Sequence, residues 1–148
     1  MSSNRLIVPG ISIGPVRIGM TPARASASLG TQGAMRHLRS NIVAWPQAGL
    51  YAYLKAGRIV SVEADDLHGV AFRTVRGIST ESKFSTVVAQ YGTTHCQPVA
   101  DSNLPTYRWY GCVVPGPAGR ATAFTSDIDG LVAAITVGRT GFTPLQGY

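Results

Sequence analysis

The chain has 148 residues, 45% hydrophobic and only 14% charged, with a formal net charge of +6. A chain of that length buries roughly 70% of its unfolded surface, so a core forms without metals, and the apolar content excludes a disordered polymer. No apolar run approaches the ~20 residues of a membrane-spanning helix, and no glycine period marks a collagen-like rod.

In chain order, the first legible element lies between Pro15 and Gly30. Thr21 suits a helix cap, Pro22 suits the first turn, where its missing N–H costs nothing, and Gly30 suits the stop. Met35–Arg39 reads as a short strand, and Trp45, just before Pro46, belongs on a rim loop or plugs the end of a sheet. Leu50 to Lys55 alternates, with Leu50, Ala52 and Leu54 on one side and Tyr51, Tyr53 and Lys55 on the other. Ala56-Gly57 forms a turn into a strand at Ile59–Ala64, and Glu63, Asp65 and Asp66 are expected to cap or solvate its end.

Beyond residue 76, Phe84, Val87, Val88 and Tyr91 make the apolar stripe of a second short helix, with Thr80 or Ser82 as its cap. Thr106 to Val114 reads as a strand with Tyr107 and Trp109 opposite Arg108 and Tyr110. Asp129-Gly130 is a tight-turn pair between strands at Ala123–Asp127 and Leu131–Val137.

Self-comparison aligns Pro15–Gly30 with Gly77–Gly92 and Tyr53–Val62 with Ser126–Ile135, so the parts follow in the same order twice. Glu81 stands where the first segment has Gly19. The expected fold class is α+β: two helix-plus-antiparallel-hairpin repeats forming one curved sheet with helices on one face. The boundaries are 1–66 for the first repeat, 67–76 for a linker, 77–140 for the second repeat and 141–148 for a tail.

Pro15-Val-Arg-Ile-Gly-Met-Thr21, a short helix ending in Leu29-Gly30, and the later Gly57-Arg-Ile-Val-Ser-Val62 together resemble the outer-membrane assembly lipoproteins of BamE type. The doubled arrangement is similar to the tandem β-lactamase inhibitor proteins (BLIP-like). The resemblance implies a non-enzymatic, exported protein that binds other proteins through an open sheet face. The same architecture would suit an immunity protein that neutralises a toxin.

The positive charge is carried by eleven arginines and only two lysines, Lys55 and Lys83. They are scattered; Arg36 with Arg39 and Arg73 with Arg76 fall short of the basic run that marks a nucleic-acid patch. An arginine-rich binder of an anionic polymer or membrane headgroups stays the alternative reading. Cys96 and Cys112 permit one disulfide, worth roughly 3 kcal/mol in the chain-entropy model, or are two inert thiols. The proline-bearing segment between them favours the bridge.

The start, Met-Ser-Ser-Asn-Arg, lacks the apolar stretch of a signal peptide. The expected place is extracytoplasmic with a leader absent from this chain, the alternative cytoplasmic. His37, His68 and His95 have no metal-ligand spacing, and adjacent His95 and Cys96 point apart on extended chain, so no metal, cofactor or catalytic group is assigned. A hydrolase would instead gather His95, Cys96 and a carboxylate in one cleft. Tyrosine, tryptophan and arginine dominate binding hot spots because they bury much area with few torsions lost. The candidate partner-binding residues are therefore Trp45, Tyr51, Tyr53, Lys55, Arg108 and Tyr110.

Overall fold

A computed structural model of the chain describes residues 4–65, 72–99 and 109–143. Two sheets and two short helices enclose one core. The large sheet is eight-stranded and antiparallel throughout. Its first half is a meander of β4 (Arg36–Arg39), β5 (Ile42–Trp45), β6 (Leu50–Lys55) and β7 (Arg58–Asp65). Its second half is β9 (Cys96–Pro98), β10 (Trp109–Pro115), β11 (Arg120–Ser126) and β12 (Val132–Arg139). The halves join where β7 pairs with β12, leaving β4 and β9 as edges.

A second sheet has four strands of two or three residues: β1 (Leu6–Val8), β2 (Ser12–Ile13), β3 (Val16–Arg17) and β8 (Arg73–Thr74). β8 runs parallel to β1, so residues expected in a linker close a sheet begun near residue 6. Ile7, Ile13, Val16, Phe72 and Ile78 are buried there within the common core. Gly14 at φ +56° permits the close approach, since a Cβ on it would stand 2.7 Å from the Phe72 ring. A bond of 2.8 Å from the Gly10 amide to the Thr122 hydroxyl ties this layer to the large sheet.

These observations overturn the expected α+β class with two helix-plus-hairpin repeats. The described residues are 47% strand and 22% helix, with an eight-stranded sheet, a separate four-stranded sheet, and only two short α-helices beside four single 3-10 turns. Strands such as Ile42–Trp45, Cys96–Pro98 and Arg73–Thr74 are too brief to show a period of two. Only distant pairing creates them.

The helices are α1 (Pro22–Leu29) and α2 (Phe84–Tyr91), two turns each. Too short to stand alone, they depend on the inner face of the large sheet. α1 is capped as expected: Thr21 Oγ1 accepts from the Arg24 amide at 3.3 Å, with Pro22 in the first turn. α2 has neither Thr80 nor Ser82 as its cap. Lys83 takes that position without a side-chain bond, and the Phe84 amide donates to the Gly130 carbonyl at 2.8 Å instead. The turn between β11 and β12 thus does the work of a capping side chain.

Candidate functional site

Register divides the large sheet into two faces. Trp45, Leu50, Ala64, Ile135, Phe124 and Cys112 form one transverse row on the inner face, all fully or nearly fully buried. Tyr91 of α2 stacks on Phe124 with ring centroids 5.5 Å apart, and Trp45 Nε1 donates to Ser26 Oγ of α1 at 2.8 Å. The assignment of Trp45 to the binding surface is therefore corrected: it is 0% exposed and anchors α1 to β5. Its indole is placed inside because β5 has an alternation of its own, too short to read from sequence.

The outer face carries the row Ala44, Tyr51, Glu63, Thr136 and Ala123, and beside it the row Ile42, Tyr53, Ser61, Gly138 and Ala121. This face is not uniformly open. Ser61, Thr136 and Ala123 are fully buried at its middle, and Ser61 Oγ has no hydrogen-bond partner among the described residues. What opens to solvent is a groove of about 720 Å³ at the β4–β7 end, lined by Arg39, Ile42, Tyr51, Tyr53, Glu63 and Asp65 among others.

Tyr51 and Tyr53 are half-buried in that groove, on the face opposite Leu50 and Ala52 as their alternation predicts. Glu63 and Asp65 correct the expectation of strand-end solvation. Both lie within β7, Asp65 is 8% exposed, and alternation sets them on the tyrosine side. The Ser61-Glu63-Asp65 alternation is the sequence signal that would have found them.

Electrostatically the groove is a coupled cluster. Tyr51 hydrogen-bonds to Asp65, and burial followed by the nearby Asp65 charge raises its pKa. Burial also raises the Tyr53 pKa, with Glu63 adding to the rise and Arg39 opposing it. Desolvation raises the Glu63 pKa above its ordinary value. The Thr136 hydroxyl, donating to Oε1 at 3.0 Å, works against that rise and Asp65 adds to it. The result is a partly desolvated acidic floor between aromatic walls, suited to accepting hydrogen bonds from a cationic or N–H-bearing group.

The other candidates lie elsewhere. Lys55 is exposed at the end of β6 with Nζ 5.6 Å from the Phe142 ring centroid, outside the groove lining. Tyr110 is 52% exposed but sits on β10, four strand spacings from β6, or about 19 Å at ordinary strand separation. Arg108, with His68, lies outside the described residues. Cys96 and Cys112 are joined in a disulfide across the β9–β10 pair. That bond removes Cys96 as a nucleophile beside His95. Among the described residues no three His, Cys, Asp or Glu side chains group to hold a metal, and no helix is long and apolar enough to cross a membrane.

No known family profile matches the sequence, and no curated protein does. Its fold is similar to part of a crystal structure of an extracellular protein containing an SCP domain from Bacillus anthracis str. Ames. The TM-score is 0.53 at 11% sequence identity. The likeness covers 82% of this chain and 44% of that one, so this chain matches less than half the length of its structural neighbour. At that identity the likeness concerns the fold alone.

Proposed function

We propose that the protein is a non-enzymatic, extracytoplasmic binding module that captures a protein partner in the Tyr51–Tyr53 groove. The observation that carries this reading is the placement of two half-buried tyrosines beside Glu63, Asp65 and Arg39 in one open groove. Tyrosines present large area at low conformational cost, and the acidic floor rewards a partner that inserts a lysine or arginine. The disulfide supports an oxidising compartment, as does the structural neighbour's description as extracellular.

The test is capture from the culture medium and envelope fraction of the source organism, using immobilised wild-type chain and a Tyr51→Ala/Tyr53→Ala variant. Capture falls about tenfold or more in the variant, as for hot-spot tyrosines, while the melting temperature moves by only a few degrees. Equal capture by both chains would refute the groove as the binding surface. A collapse of the variant's stability would make the tyrosines structural instead.

A further inference from the structure

A second charged feature lies apart from the tyrosine groove and shares no residue with it. Arg17 of β3, Arg24 of α1, Arg58 of β7 and Arg120 of β11 line one open groove of about 370 Å³ together with Ile18, Gly19 and Met20. Four separate elements deliver these guanidinium groups, so no local sequence run explains their meeting. Arg120 also stands directly opposite Arg139 across the β11–β12 ladder. Like charges so placed repel, and a fold has no packing reason to gather them.

Nothing acidic compensates among the described residues. Glu63 and Asp65 face the tyrosine groove, Glu81 precedes α2, and Asp127 and Asp129 sit at the far end of the β11–β12 hairpin from Arg120 and Arg139. The first turn of α1, flanked by Met20 and Arg24, holds no acidic residue, so the positive end of its dipole adds to the same side. One guanidinium is already held in place: Arg58 Nη1 donates to the Gly19 carbonyl at 3.2 Å. Arg17 and Arg24 are exposed and pair with no carboxylate among the described residues.

We infer that this groove binds a tetrahedral oxoanion, a phosphate or sulfate ester group of a larger ligand. Guanidinium forks pair two N–H donors with two oxygens of such a group, which chloride cannot match, and its remaining oxygens leave acceptors for a second guanidinium that a carboxylate lacks. The site is independent of the proposed protein-binding groove.

The experiment titrates the full-length, oxidised chain with inorganic phosphate and with sulfate, following backbone amide resonances. Both ions saturate the signals of residues 17–20 and 24, and chloride at equal ionic strength does not. Arg17→Gln/Arg24→Gln weakens phosphate binding about tenfold or more, as expected for two charge-assisted contacts. Arg36→Gln/Arg73→Gln, which removes the same charge outside the groove, leaves it within about twofold. Glycerol 3-phosphate and phosphatidylcholine vesicles containing phosphatidic acid then separate a soluble ester from a lipid headgroup as the source. Shifts spread over the whole surface, or equal losses in the two double variants, would overturn the inference, because each would reduce the effect to net charge.

Discussion

The approaches to the two helices share one backbone hydrogen-bond pattern and differ in the residues that occupy it. Before α1, the Gly19 amide donates to the Ile59 carbonyl at 2.8 Å and the Ile59 amide returns a bond to Met20, also at 2.8 Å. Before α2, the Glu81 amide donates to the Val132 carbonyl at 2.7 Å and the Val132 amide returns a bond to Ser82 at 2.8 Å. Both lead-in residues have positive φ, +95° at Gly19 and +71° at Glu81. Only glycine enters that region without a steric penalty. The first half of the molecule thus meets its backbone demand with the right residue, and the second half meets it under strain.

The second half differs elsewhere in the same sense. Its edge strand β9 has three residues and is fastened to β10 by the disulfide, whereas β4 carries Arg36 and Arg39 as exposed charges and has no staple. Charged edges discourage pairing with other chains; a covalent bridge serves where the strand is too short to hold itself. The groove with its tyrosines and carboxylates lies wholly in the first half. The outer row of the second half offers small residues, Ala121, Ala123 and Thr125.

The largest expected effect comes from removing the staple. Cys96→Ser/Cys112→Ser should cost about 3 kcal/mol in denaturant unfolding, the value expected for a loop of this size. Hydrogen exchange should rise over β9 and β10 while β5 to β7 keep their protection. Equal loosening of both halves would show that the sheet behaves as one cooperative unit, and the contrast between its edges would lapse. Next in size is Glu81→Gly, which should raise stability by about 1 kcal/mol as left-handed strain is relieved. Gly19→Ala should do the reverse; if neither moves the denaturation midpoint, the strain argument fails.

The smallest effect is electrostatic. The Glu63 pKa is higher in the folded protein than in the unfolded chain, so the folded state binds the extra proton more tightly. Stability from this group therefore falls as pH rises from the unfolded to the folded pKa, and the penalty is complete above the latter. Glu63→Gln keeps an acceptor for Thr136 and should stabilise the protein at pH 7 but not at a pH below the usual glutamate range. A melting-temperature difference that does not vary with pH would remove the charge from the explanation.

How much could be read beforehand depends on the range of the interaction. The Leu50–Lys55 strand was legible to the residue, because six alternating positions and a following Ala56-Gly57 turn are local signals. The α1 cap was legible for the same reason. Trp45 was not, since four residues of β5 carry too little pattern to say which way an indole faces. Glu63 and Asp65 were misplaced because acidic residues at a predicted strand end look solvated, whereas β7 continues through Asp65. The arginine groove left no trace at all: its members are spread from residue 17 to residue 120.

By itself the sequence determined the two short helices, the strands around the Ala56-Gly57 and Asp129-Gly130 turns, the side on which Tyr51 and Tyr53 lie, and the cysteine pair. Those features follow from periodicity, turn stereochemistry and side-chain capping within a few residues of chain. Tertiary structure alone decided that β8 joins β1 in a second sheet, that β7 meets β12, and that α2 is capped by a distant turn. It also decided where charge collects. Backbone hydrogen bonds between remote strands and the burial of a shared core are satisfied only by the folded chain as a whole, so no window of sequence contains them.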